Sequence, residues 1–305
     1  MDPRAADWFA RRTTTADDWR LDALVQAKGD SRVSVVVPAR NEEDTIADVV
    51  ARIRADLPGL VDELVVIDSL SSDRTAAIAR DAGATVHSVA DILPELGVQK
   101  GKGEALWKSL FVTSGDLLVF IDADLTEWGS HFVTGLLGPL LTDPAVTLVK
   151  GFYDRVADLD GMQSTEGGRV TELVARPLIS LRWPELAGVV QPLAGEWAVR
   201  RSLFAEIAIP VGYGVEFATL LAALDRGGLD AIAQVDLGRR AHSHQSVHDL
   251  GVMAAEILAV ADAFVGQATL AQPDRTTPGS WREREVPTAV RPPAAAVQQG
   301  PARGV

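Results

Sequence analysis

Between Ser31 and Asp124 apolar runs alternate with amphipathic stretches, and this alternation limits the architecture more than any other feature of the chain. SVVVPA, ELVVIDS and DLLVFIDADL are near-continuous apolar strands, and ATVHSV is a shorter one. Strands read this way when both faces are covered, as happens when helical crossovers join parallel strands. The stretches between them carry the period of a helix. Ile46, Val49, Val50, Ile53 and Leu57 recur on one face. In SSDRTAAIARDAG, Asp73 is placed to cap a helix and Gly83 to stop it, and GKGEALWKSLFVTSG supplies a third helix. Such β-α-β units in series predict an α/β fold, a mainly parallel sheet flanked by helices.

Four stretches of the 305 residues are expected to differ in character. Residues 1–30 read as an N-terminal helical arm, with DDWRLDALVQAKG stopping at Gly29. Residues 31–145 hold the regular alternation. Residues 146–268 are less regular: TLVKGFYDRV and AIAQVDLG read as strands, TEGGRVTELVARPLISL as a loop entering a helix, and GYGVEFATLLAAL as a helix. A long helix over 246–265 is more apolar than one covered face needs, which implies a buried helix or a dimer seam. Residues 269–305 mix Pro, Arg, Ala, Gln and Gly without periodicity and are expected to be disordered.

Composition excludes several classes of function. A formal charge of −13 disfavours duplex nucleic acid, so any polyanionic ligand needs a local cluster of Arg, Lys or metal. The absence of Cys excludes disulfides, thiolate zinc sites and Cys nucleophiles. The N-terminus lacks the apolar core of a signal peptide, and no run reaches the roughly 20 apolar residues that span a bilayer. A soluble, cytoplasmic protein without membrane insertion is expected.

The chemistry concentrates at predicted strand ends. In IDADL, Asp122 and Asp124 project to the same side of the strand, and ligands of open α/β sheets bind beyond such ends. Paired carboxylates there make a hard oxygen site for Mg2+ or Mn2+ carrying a diphosphate, or simply cap a turn. In PARNEEDT, Glu43 and Asp44 suit a helix N-terminus, whereas Asn41 and Glu42 in the preceding turn can bond a ribose or a base edge. VIDS ends another strand at Asp68 and Ser69; Ser71 and Ser72 read as turn residues. In QKGKGEAL, Lys102 sits between two glycines before a helix, an arrangement suited to phosphate. It matches neither a P-loop nor a dinucleotide fingerprint. Gly168, Arg169, Val170 and Thr171 enter a helix and offer N–H groups, a guanidinium and a hydroxyl to an anion; a surface turn is the alternative. RAHSHQSVH holds three of the five histidines, with His242 and His244 on one face of a strand end and His248 read as helix surface.

In this order and spacing, these blocks resemble the nucleotide-sugar half of a GT-A glycosyltransferase, a Rossmann-like fold. EGGRVTELVARPL, QPLAGEWAVRR, GYGVEFATLL and RAHSH extend the resemblance to the actinobacterial glucosyl-3-phosphoglycerate synthases, over about Val33 to Ala263. The resemblance implies metal-dependent, retaining transfer of glucose from UDP-glucose to the 2-hydroxyl of 3-phosphoglycerate, a first step towards methylglucose lipopolysaccharide. It implies that residues 31–145 bind the nucleotide sugar and 146–268 the acceptor, in a homodimer. Pro38, Ala39, Arg40, Asn41, Glu42 and Ser69 would line the uridine pocket. Lys102, Asp122 and Ala123 would hold the nucleotide, and Asp124 and His242 the Mg2+ or Mn2+. Leu193, Tyr213 and Glu216 would surround the glucose, with Lys102, Asp124 and Glu216 at the reaction centre. Gly168, Arg169, Val170, Thr171, Arg240 and His244 would take the acceptor. Two alternatives remain from the sequence: an inverting transferase acting on a polyprenyl phosphate, and a nucleotide-sugar-binding protein without turnover.

Overall fold

A computed structural model describes residues 2–159, 162–164, 168–241, 247–263, 268–273 and 281–298. The chain opens with α1 (Pro3–Arg12), β1 (Thr13–Thr15) and α2 (Leu21–Lys28). The alternating region gives β2 (Val33–Ala39), α3 (Ile46–Asp56), β3 (Glu63–Asp68), α4 (Thr75–Asp81), β4 (Thr85–Ser88), α5 (Lys102–Ser109), β5 (Leu117–Phe120) and α6 (His131–Thr142). Then follow β6 (Leu148–Leu159), β7 (Met162–Ser164), a π-helical turn over Thr171–Ala175, α7 (Arg176–Arg182), β8 (Trp197–Arg200), α8 (Arg201–Phe204), β9 (Ile209–Pro210) and α9 (Val215–Gly227). The chain continues through β10 (Ile232–Ala241), α10 (Val247–Ala261), β11 (Ala268–Pro273), β12 (Trp281–Val286), β13 (Val290–Arg291) and α11 (Ala294–Gln298).

One sheet joins the two halves, in the order β1-β10-β6-β8-β5-β2-β3-β4. Every neighbouring pair is parallel except those of β8, which runs against both β5 and β6. The apolar runs are continuous because both faces are covered. Val33, Val35, Val37, Val119 and Ile121 pack with Ile46, Val49, Val50, Ile53, Phe132 and Leu136. Val36, Val65, Ile67, Leu118 and Phe120 pack on the other face with Leu106, Trp107, Trp197, Phe204 and Phe217. Each wholly buried side chain of this size contributes about 1.5–3 kcal/mol.

Three features depart from or sharpen the sequence expectations. The N-terminal arm is not only helical: β1 pairs with β10 and extends the sheet, while Trp8 is buried and its Nε1 donates to the Ile232 carbonyl at 2.8 Å. The tail expected to be disordered is instead structured over 268–273 and 281–298. β11 and β12 form a hairpin, β13 pairs with β9, and Arg291 is buried against Glu104. A few long-range anchors outweigh a composition that looks unstructured. The apolar character of α10 has a local cause, since it packs against α9, the π-helical turn and the β11–β12 hairpin.

Candidate active site

The registers Ala39↔Asp68, Asp68↔Ser88 and Val36↔Phe120 bring the ends of β2 to β5 to one edge of the sheet. The loops after β2 and β3 are stitched together there. Asn41, in the left-handed region at φ 57°, donates its N–H to Ser71 Oγ at 3.0 Å. Its Oδ1 accepts from Ser72 N at 2.8 Å. Glu42 N donates to Thr75 Oγ1 at 2.7 Å, and Arg74 N to Glu43 Oε2 at 3.1 Å. The Asn41 side-chain carbonyl is thus occupied in holding the loop rather than aimed at a base, and Ser71 and Ser72 are turn residues. Ser69 N donates to the Ala39 carbonyl at 2.9 Å, so Ala39 and Ser69 face each other at the strand ends, with Pro38 half-buried and Arg40 exposed beside them.

Across this edge lies an ionic bridge. Lys102 Nζ is 2.6 Å from Asp122 Oδ1 and 2.9 Å from Glu216 Oε1. Burial alone would lower the lysine pKa, but the two carboxylates overcome it and raise it well above the usual value, so Lys102 carries its charge. The bridge needs Gly195: a Cβ there would stand 2.1 Å from Asp122 Oδ2. Thr45 Oγ1 donates to the Ala123 carbonyl at 2.7 Å and fixes the turn between Asp122 and Asp124. Burial, and then the charges of Asp124 and Asp122, push the Glu42 carboxyl up to about 7. Three carboxylates whose fields overlap in this way form an environment that a divalent cation would relieve, and their hard oxygens suit Mg2+ or Mn2+. Among the described residues there is no group of three or more His, Asp or Glu with the geometry of a metal site.

The glycines around Lys102 do something other than was expected. Gly103 and Glu104 N–H groups donate to the Gly212 and Val211 carbonyls, at 3.1 and 2.9 Å. A Cβ on Gly103 would be 1.9 Å from the Pro210 carbonyl oxygen, and one on Gly101 2.3 Å from that of Val211. The Gly103 and Glu104 N–H groups are therefore committed to protein, and the glycines allow two backbones to touch.

The C-terminal ends of β6 and β10 lie at the same edge. β6 and β10 run parallel to β5, so their ends point the same way. Gly168 caps the helix that begins at Arg169, with Glu172 N donating to its carbonyl at 3.0 Å. Arg169 is exposed, whereas Val170 and Thr171 are buried. Leu193 is half-buried, and Tyr213 is 41% exposed with its N–H given to the Glu256 carboxylate. Arg240 lies near the end of β10, but its side chain, His242 and His244 fall outside the described residues.

Sequence reasoning missed Gly195, Glu256 and Lys150. Lys150 is wholly buried on β6, donates to the Ala194 carbonyl at 2.8 Å and lies 5.6 Å from the Trp197 ring centre. Burial lowers its pKa to about 8, against the pull of Glu216, Glu196 and Asp122. A lysine inside an apolar strand was a signal available in TLVKGFYDRV.

Comparison with known proteins agrees with this geometry. A model of glycosyl transferase family 2 matches residues 34–207. The glucosyl-3-phosphoglycerate synthase of Mycolicibacterium smegmatis is 45% identical over 295 residues, 94% of this chain and 96% of its own. That of Mycobacterium tuberculosis is 50% identical over 245 residues, 79% of this chain and 76% of its own. Among solved structures, glucosyl-3-phosphoglycerate synthase from M. tuberculosis in complex with Mn2+, UDP-glucose and phosphoglyceric acid superposes with a TM-score of 0.84. It is 44% identical, over 93% of this chain and 98% of that one. The same enzyme with Mg2+ and UDP gives a TM-score of 0.82 at 43% identity, over the same shares of the two chains. By its sheet, its acidic strand end and these matches, the chain belongs to glycosyl transferase family 2.

Proposed function

We propose that this glycosyltransferase moves glucose from UDP-glucose to the 2-hydroxyl of 3-phosphoglycerate, with retention at the anomeric carbon and with Mg2+ or Mn2+ bound. The observation that carries the reading is the Asp122–Lys102–Glu216 bridge at the end of β5, in a chain 45% identical to a glucosyl-3-phosphoglycerate synthase over nearly its whole length. Asp124 with His242 would hold the cation, which would neutralise the diphosphate as it leaves. Lys102 supplies a half-buried positive charge to the same phosphates, an electrostatic contribution made in advance of the reaction. Arg169, at a helix start with Gly168 and Thr171, orients the acceptor's phosphate and carboxylate, and Arg240 and His244 complete that side.

Glu216 is engaged by Lys102, which favours a route needing no carboxylate nucleophile. In that route the bond from the anomeric carbon to the diphosphate oxygen breaks and the bond to the acceptor oxygen forms on the same face. The acceptor proton passes to the departing phosphate oxygen. Among the described residues no helix is long and apolar enough to cross a membrane. A cytoplasmic homodimer opening the route to methylglucose lipopolysaccharide belongs to the same reading. Release of UDP, followed with 3-phosphoglycerate, with a polyprenyl phosphate and with no acceptor, tests it. Release that depends on 3-phosphoglycerate supports the proposal; release that depends on the lipid phosphate, or none above background, defeats it.

A further inference from the structure

The segment leading into α9 is gripped from three directions. β13 pairs with β9 in the register Val290↔Pro210 and Arg291↔Ile209, and Val211 N donates to the Ala289 carbonyl at 3.0 Å. From the opposite side, Gly103 and Glu104 at the start of α5 donate to the Gly212 and Val211 carbonyls. From α10, the Glu256 carboxylate takes the Tyr213 N–H. The C-terminal strap does more than add a strand. The Arg291 guanidinium reaches the first turn of α5, with Nε and Nη2 each 2.7 Å from an oxygen of the Glu104 carboxylate. It also donates to the Leu96 and Gly97 carbonyls at 3.0 Å and lies 5.1 Å from the Trp107 ring centre. Trp107 Nε1 returns a bond to the Pro292 carbonyl at 2.7 Å. Arg291 is 8% exposed and Glu104 1%, so this is a buried, forked ion pair in which four of the five guanidinium N–H groups have an acceptor.

What this arrangement fixes is the donor site. Lys102 is the first residue of α5, two before Glu104, and the segment paired with the strap runs into α9, whose first turn carries Glu216. Both flanks of the bridge from Lys102 to Glu216 therefore meet the same arginine, one through Glu104, which Lys108 Nζ also approaches at 3.4 Å, and the other through the pairing of Arg291 with Ile209. The strap lies beyond residue 207, where the family match ends.

We propose that Arg291 is a positioning residue for the transfer reaction: acting through Glu104 and the segment 209–212, it holds Lys102 and Glu216 where the nucleotide diphosphate binds. The proposal rests on the donor-site reading of Lys102. A side chain that merely stabilises the fold would weaken binding by the same factor whether or not Lys102 were present. One that acts through Lys102 would not.

The test is a double-mutant cycle on the full chain, reading UDP affinity by calorimetry with Mn2+ present and checking each variant's fold by circular dichroism. Arg291→Met is expected to weaken UDP binding about tenfold, the worth of one hydrogen bond to a charged group. In a Lys102→Ala background the same change is expected to weaken it less than about twofold. Equal factors in both backgrounds, or unaltered affinity in a folded Arg291→Met protein, overturn the proposal. Should Arg291→Met fail to fold, Arg291→Lys keeps a charge beside Glu104 without the fork, and its cycle is judged by the same two outcomes. A wild-type protein that binds no UDP defeats the donor-site reading instead, and this inference with it.

Discussion

Gly195→Ala is the sharpest perturbation available to the site. Gly195 lies outside the positive-φ glycines, so an alanine there meets an obstacle of space alone. Its Cβ would stand 2.1 Å from Asp122 Oδ2, 2.7 Å from Cγ and 2.8 Å from Oδ1, where ordinary contact begins near 3.4 Å. The carboxylate must retreat by about 1.3 Å to escape the overlap. That breaks the 2.6 Å bond to Lys102 and shifts the carboxylate that shares its charge with Asp124 and Glu42. Misplacing a reacting group by about an ångström costs on the order of a hundredfold, or about 2.7 kcal/mol of transition-state stabilisation. The assay is kcat/KM for UDP release from UDP-glucose at saturating 3-phosphoglycerate, with Tm measured on the same preparation. The expected outcome is a loss of about a hundredfold in a folded protein. A folded variant within about threefold of wild type would refute the reasoning, because the Lys102–Asp122 contact would then not bear on the reaction.

Three further outcomes are expected. Asp124→Ala should reduce metal-dependent UDP release by more than about a hundredfold with Tm unchanged; retained turnover in chelator-free buffer would contradict the metal role. Arg169→Ala should raise the KM for 3-phosphoglycerate by about tenfold and that for UDP-glucose far less; an equal rise in both would remove Arg169 from the acceptor side. At the opposite end of the sheet, burial would raise the Glu63 pKa, but hydrogen bonds from Ser114 and Ser34 and the charge of Arg32 hold it at about 2. Because the folded state binds its proton more weakly than the unfolded chain, the stabilisation is complete above pH 4.5 and lost as pH falls towards 2. Glu63→Gln should cost about 2 kcal/mol at pH 7, by urea unfolding, with the gap to wild type closing in acid and activity preserved. A gap independent of pH would contradict this.

Where local period decides, the sequence was readable. β2, β3 and β5 and helices α3 to α5 follow from apolar runs broken by helical spacing, and IDADL announced acids at the end of β5, although β5 stops at Phe120 and Asp122 and Asp124 lie in the turn beyond it, where strand alternation no longer places them on one face. What depends on distant partners was not. Arg291 reads as one arginine in a Pro- and Ala-rich tail until it meets Glu104, 187 residues away in sequence. The glycines beside Lys102 look like a phosphate cradle because flexible loops and tight backbone contacts use the same residue. That the Asn41 side-chain carbonyl is spent on Ser72 could not be read from PARNEEDT, because its left-handed backbone and that bond appear only when two loops meet. Gly195 is silent in sequence, since the carboxylate it makes room for sits 73 positions earlier, in the loop that follows β5.

The central claim is that the end of β5 holds a divalent cation against a nucleotide diphosphate. The most direct measurement is an anomalous difference map from a crystal soaked with Mn2+ and UDP. The expected result is a peak about 2 Å from an Asp124 carboxylate oxygen, in contact with the diphosphate, with Lys102 on the nucleotide side. A map with UDP bound and no anomalous peak beside Asp124 would contradict the account.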